Sequence, residues 1–421
     1  MKTNAVRLYG ANDARLETFS LPEITDGEIL AKVITDSLCM SSYKAAYMGA
    51  SHNRVPDNVA ENPIILGHEF CGEIVEVGSK WKGQFKPGDR FVIQPALNYK
   101  GRLDAPGYSF PYIGGCATYI VIPEMVMEVG CLLPYDSDTF FYGSLAEPMS
   151  CVIGSFMEFY HSKAGVHEHQ MGILEGGSLL ILAGAGPMGF GAVDYIIHAD
   201  RRPGRLVVTD IDQTRLDRMA ALITVEEAKR NGVELHYVNT GSVEDAVGHL
   251  VGLTGGHGYD DVMVMAPVRS VCEQADALLA FNGCLSFFSG PKDTQFSAMV
   301  NFYNIHYKAT HFLGTVGGNT DDMKLALSMC AQKKINPSGM VTHVGGLDCA
   351  AEATLNLPNI PGGKKLIYTQ VSLPLTAISD FAKLGKSDPF FAELARITDA
   401  HHGIWSPEAE AYLLEHAQKI Q

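Results

Sequence analysis

Ser178-Leu179-Leu180-Ile181-Leu182-Ala183-Gly184-Ala185-Gly186-Pro187-Met188-Gly189 is the stretch that decides the fold of this chain. Its first half is a continuous apolar run, which suits a strand buried on both faces. Glycines at 184, 186 and 189 then open a helical pattern that runs to about residue 199. A second apolar run, Arg205-Leu206-Val207-Val208-Thr209-Asp210, ends in an acid 21 residues after Gly189. Strand, glycine turn, helix and strand in that order predict a βαβ unit.

In such a unit the first glycine makes the tight turn and the second lets the backbone approach a pyrophosphate. The third lets helix and strand pack closely. The helix N-terminus, at Pro187-Met188, offers the free N–H groups of the residues after Pro187 and a positive dipole end to phosphates. Asp210 is placed to accept hydrogen bonds from an adenosine ribose, which favours NAD(H). Arg215, five residues on, lies along the adenosine or accommodates a 2′-phosphate, so NADP(H) stays open.

Working outward, strand-like runs at 236–238, 261–265 and 284–288 alternate with helical stretches. Together they predict an α/β, doubly wound parallel sheet domain over residues 151–318, entered through a helix near 151–160. Residues 1–150 read as mostly β, with strands at 29–34, 72–77 and 90–93, the last after the turn Lys86-Pro87-Gly88-Asp89. The polar segment 49–62 has no periodicity and reads as a loop near a site mouth. From 319 to 421 the chain is expected to return to the first domain and finish in a helical extension. Ser406-Pro407 marks one helix start there.

Composition narrows the function. The 421 residues are 46% hydrophobic and 19% charged, with a net charge of -15. That acidity argues against nucleic acid, although a local basic cluster is compatible with a phosphorylated small molecule. No apolar run reaches membrane-spanning length, and the start of the sequence has no signal-peptide core. Nine cysteines without a CxxC pair fit a reducing cytoplasm.

A second stretch carries chemistry: Ile64-Ile65-Leu66-Gly67-His68-Glu69-Phe70-Cys71-Gly72, with Gly78 beyond it. Catalytic zinc keeps three protein ligands and one open position. Cys39 offers a thiolate, His68 an imidazole, and Glu69 or Glu147 a carboxylate. Taken singly, each has a bland explanation: a strand end, a small buried cysteine, a Glu-Pro loop. Taken together, and upstream of a nucleotide unit, they point to metal-assisted hydride transfer.

The pattern Gly67-His68-Glu69-x2-Gly72-x5-Gly78, with Cys39 before it and Lys86-Pro87-Gly88-Asp89 and Glu147-Pro148 after it, resembles the zinc-containing medium-chain alcohol/polyol dehydrogenases. The resemblance covers roughly residues 5–369. It implies a GroES-like, mostly β catalytic domain beside the Rossmann domain, and a dimer or tetramer. It also implies that Cys39 and His68 bind zinc, with Glu69 and Glu147 as alternative carboxylate ligands. Ser41 would relay the substrate proton, and Lys364 would lie near the cofactor pyrophosphate. Three departures matter. Between Gln94 and Thr118 there is only Cys116, so one catalytic zinc and no structural zinc are expected. Ser42 stands where an aspartate commonly supports the ligand histidine, so another group is expected to orient His68. Lys44 stands where some members carry the histidine that ends the proton relay.

Segment 49–62 and the C-terminal tail, together with Glu147-Pro148, resemble the sugar-phosphate branch, L-sorbose-1-phosphate reductases in particular. The resemblance implies reduction of L-sorbose 1-phosphate to D-glucitol 6-phosphate. An unphosphorylated polyol or secondary alcohol is the alternative substrate, and a non-catalytic cofactor-binding protein the alternative of another class. Arg54, Lys100 and Arg102 are the basic candidates for a substrate phosphate. His161, His167 and His169 cluster before the nucleotide unit, where a solvated helix end explains them better than a metal. His306-Tyr307-Lys308 suits core packing or an interface as well as a substrate.

Overall fold

The apolar run at 178–182 is the inner strand of a six-stranded sheet. In the computed structural model, which describes residues 1–421, the strands lie in the order Glu234–Asn239, Arg205–Asp210, Ser178–Leu182, Tyr259–Val264, Leu279–Phe287, His311–Leu313. Every pairing is parallel. The chain winds outward one way from Ser178–Leu182 and then the other way from Tyr259–Val264, which makes a Rossmann sheet with a switch point. Helix Pro187–His198 is buried along most of its length. At its start a Cβ on residue 189 would lie 1.8 Å from the Gly184 carbonyl oxygen, so only glycine fits.

The chain divides into two compact units: Met1–Pro148 with Asn319–Ala331 and Val341–Gln421, and Met149–Gly318 with Gln332–Met340. Residues 332–340, expected with the first domain, belong to the second. Asp194, buried on helix Pro187–His198, accepts the Asn336 amide at 2.6 Å, and Arg218 donates to the Gly339 carbonyl at 2.8 Å. A buried carboxylate needs such a donor, and this segment supplies it. The stretch at 160–171 is not a helix end but a hairpin of Tyr160–Ser162 and His169–Met171. Its His161 is buried, with Nε2 3.0 Å from Asp261 and Nδ1 3.0 Å from the Asn282 carbonyl.

In the first unit, Ile29–Leu38 is the spine. It pairs antiparallel with Phe70–Val77, with Tyr119–Ile122 and with Lys364–Tyr368. Beyond Lys364–Tyr368 lie Val341–Gly346 and Thr376–Ala377; beyond Phe70–Val77 lie Arg90–Ile93 and Leu132–Pro134. The alternating and continuous apolar runs of these strands fill one core around Val33, Phe70, Ile74, Phe91 and Ile120. Helix Phe141–Glu158 carries Pro148 inside it, where the missing N–H leaves the carbonyl four residues back without its helical donor. The tail forms helices Pro389–Ala400 and Pro407–His416, the second capped by Ser406 Oγ on the Ala409 amide at 3.2 Å. Trp405, Phe381, Leu394 and Leu413 pack them against Tyr368 and Phe141.

Candidate active site

Cys39, His68 and Glu69 converge: one ligand atom from each lies within 4.8 Å of the others. Backbone geometry explains the placement. Cys39 is the extended residue before helix Met40–Met48, so its thiol sits at the helix start. Gly67 turns the chain with φ +93, a left-handed conformation that side chains resist, and this aims His68 and Glu69 inward. Glu69 is then pinned by its own backbone, its carbonyl accepting from Ser37 at 2.9 Å and its amide donating to Asp36 at 3.2 Å.

Both imidazole nitrogens of His68 are engaged. Ser42 Oγ lies 3.0 Å from Nδ1 and the Tyr108 hydroxyl 3.1 Å from Nε2. Another group was expected to orient His68 in place of the family's aspartate; Ser42 itself makes the contact. Burial first, then Lys364 and Arg54, hold the His68 imidazole well below its usual range, in the neutral form a metal requires. Burial and the Glu69 carboxylate push the Cys39 thiol up to about 12. Three donors that resist or lack positive charge, gathered in a buried space, are what a divalent cation stabilises. The donor set of thiolate, imidazole and carboxylate fits zinc.

Lys364, expected beside a pyrophosphate, has its ammonium 2.5 and 2.6 Å from the two Glu69 carboxylate oxygens. Both side chains are buried, at 5% and 1% exposure. Burial alone would lower the Lys364 pKa, but Glu69, Cys39 and Glu147 together raise it above its ordinary value. Two charges taken out of water need each other, and that fixes the lysine here. Glu147 lies within electrostatic reach of Cys39, Lys364 and Tyr108. Ser41 hydrogen-bonds the Tyr108 phenol, whose pKa burial raises well above the usual range. Lys44 lies on the same helix and acts through space on His52. Tyr108 and His52 were not foreseen. Tyr108 is 40 residues from His68 in an irregular loop, and no pattern in sequence announces that contact.

The second unit holds the other expected residues. The Asp210 carboxylate accepts from Ala185 at 3.1 Å, Ile211 at 2.8 Å and Asp212 at 3.1 Å, which ties the acid to the glycine turn. A Cβ at Gly186 would meet nothing within 4 Å, so the turn presents open backbone to a ligand. Pro187 and Met188 form the first turn of helix Pro187–His198, and Arg215 pairs with Asp212 at 3.3 Å. This cradle fits a dinucleotide pyrophosphate. A hollow lined by Ser178, Arg205, Asp260 and Phe281 lies at the amino ends of the strands, the end such ligands do not use.

Residues 25–130 match the alcohol dehydrogenase GroES-like domain and residues 189–332 the zinc-binding dehydrogenase domain. The chain belongs to the zinc-containing medium-chain dehydrogenases and is an oxidoreductase. Among curated relatives it is 53% identical over 414 residues to the mannitol-1-phosphate 5-dehydrogenase of Aliivibrio fischeri, covering 98% of both chains. It is 51% identical over 418 residues to the L-sorbose 1-phosphate reductase of Klebsiella pneumoniae, covering 99% of this chain and 98% of that one. The fold is shared with the crystal structure of 2R,3R-butanediol dehydrogenase from Bacillus subtilis, at a TM-score of 0.68 and 20% identity over 87% of this chain and 99% of that one.

Proposed function

We propose that the protein interconverts a ketose phosphate and a hexitol phosphate using NAD(H), with L-sorbose 1-phosphate reduction to D-glucitol 6-phosphate as the preferred reaction. The convergence of Cys39, His68 and Glu69 carries the chemical part of this reading. The substrate class follows from near-full-length similarity to two enzymes named for sugar phosphates.

Cys39, His68 and Glu69 would hold the zinc, with Glu147 standing in when Lys364 draws Glu69 away. Bound there, zinc supplies Lewis acidity toward the substrate oxygen, and the nicotinamide supplies or takes the hydride. The residues of the chain do the rest. Ser42, 3.0 Å from His68 Nδ1, engages that nitrogen and leaves Nε2 to serve as the ligand atom. Ser41, bonded to the Tyr108 phenol, delivers or receives the proton at the substrate oxygen. Asp210 orients the adenosine ribose, and its fixed carboxylate favours NAD(H) over NADP(H).

The test is metal content and NADH oxidation, on wild type and Cys39→Ala, with sorbose 1-phosphate and fructose 6-phosphate. About one zinc per chain, lost in the variant together with activity, is the expected result. Full activity without metal would overturn the mechanism. Faster turnover of free polyols than of their phosphates would replace the proposed substrate with an unphosphorylated one.

A further inference from the structure

Residues 37–56 carry no aspartate or glutamate, in a chain with 47 acids and 32 lysines and arginines. Within that stretch stand Lys44, His52 and Arg54; Lys44 lies one helical turn from Ser41 on helix Met40–Met48, and the structure draws His52 and Arg54 toward the proposed metal donors. The Arg54 guanidinium lies 5.4 Å from the centre of the Tyr108 ring. His52 stacks on the same ring, at 5.8 Å and nearly parallel at 8°. The hydroxyl of that ring is 3.1 Å from His68. The backbone is pinned there, because Ser109 Oγ donates to the Arg54 carbonyl at 2.7 Å and the Arg54 amide lies 3.3 Å from His52 Nδ1. Burial, then Arg54 and Lys44, depress the basicity of His52, so both cations act on one imidazole. The guanidinium is in no ion pair with the protein, so no carboxylate of the chain competes for it.

The other basic candidates differ. Arg102 is 63% exposed and pairs with Asp104, while Lys100 lies over Tyr99. In a ketose 1-phosphate the phosphate is one carbon from the reacting carbonyl, so its binding groups must stand beside the metal donors. Arg54 meets that requirement through Tyr108.

We propose that Arg54, Lys44 and His52 form the subsite that binds the substrate phosphate, an inference that rests on the sugar-phosphate reading above. Arg54 supplies a planar fork for two phosphate oxygens, Lys44 a compact point charge, and His52 a ring donor. Lys44, expected at the end of a proton relay, serves here in binding. The buried Tyr108 ring and the half-buried His52 ring shield the cluster from water, which strengthens its attraction for a dianion.

The experiment is calorimetric titration of the zinc-loaded full chain with D-glucitol 6-phosphate and with D-glucitol, on wild type, Arg54→Gln, Arg54→Lys and His52→Gln. Wild type should prefer the phosphate ester. Arg54→Gln should weaken ester binding by at least about tenfold and shrink that preference, with zinc content held. Arg54→Lys should recover part of it, and His52→Gln should lose about threefold. Wild-type preference kept in both Arg54→Gln and His52→Gln would overturn the subsite. No preference in wild type would instead overturn the sugar-phosphate reading itself. Should Arg54→Gln fail to fold, His52→Gln decides alone by the same comparison.

Discussion

Two residues set the properties of the proposed metal centre, and neither is among its proposed ligands. Lys364 holds both oxygens of Glu69, a pair buried deeply enough that removing one partner leaves a bare charge in the interior. Lys364→Met should therefore destabilise the metal-free protein by about 3–5 kcal/mol. Zinc should restore part of the loss, because Glu69 then gains a cation. Urea unfolding with chelator and with zinc checks both halves. Tyr108 works the other way, since its hydroxyl lies 3.1 Å from Nε2, the nitrogen that the proposed zinc would use. Tyr108→Phe should raise zinc affinity by about fivefold, the worth of one neutral hydrogen bond of about 1 kcal/mol. Competition against a chromophoric chelator would read it, and unchanged affinity would contradict the claim. Cys39, His68 and Glu69 were legible as candidates because zinc demands those residue types. The second layer was not legible. A serine at 42 looks like any helix-surface serine, and the partner of Lys364 lies 295 residues away across a sheet.

At the scale of elements, the C-terminal tail acts on the helix that carries Glu147. Glu410, on helix Pro407–His416, accepts the amides of Phe140 and Phe141 at 2.6 and 2.9 Å, capping helix Phe141–Glu158. Tyr368 donates to it at 3.0 Å and accepts from Trp405 at 2.7 Å. Burial lifts the Glu410 pKa from 4.5 to about 7, against the pull of those donors. Across that window the folded chain keeps a proton the unfolded chain has released, so stability falls as pH rises. Relative to Glu410→Gln, wild type should lose up to about 3 kcal/mol between about pH 5 and about pH 8. A constant difference across that range would remove Glu410 as the cause. The strands at 178–182 and 205–210 were readable because a parallel sheet writes itself as apolar runs. The hairpin at 160–171 and the segment 332–340 were not, since their order depends on distant acids, Asp261 and Asp194.

For the whole molecule, the two units differ in how the chain builds them. The second is nearly continuous, needing residues 149–318 and then 332–340. The first is split, and its sheet places Lys364–Tyr368 and Val341–Gly346 beyond the spine Ile29–Leu38. Glu69 is thus made early and its counter-charge late. During synthesis at about 5–20 residues per second, the second unit becomes foldable while the first still lacks three strands of its sheet and Lys364. For some seconds the nascent chain carries an acidic pocket with an open sheet edge. That interval, rather than the finished enzyme, is when the protein is most exposed to misassembly with its neighbours on the ribosome.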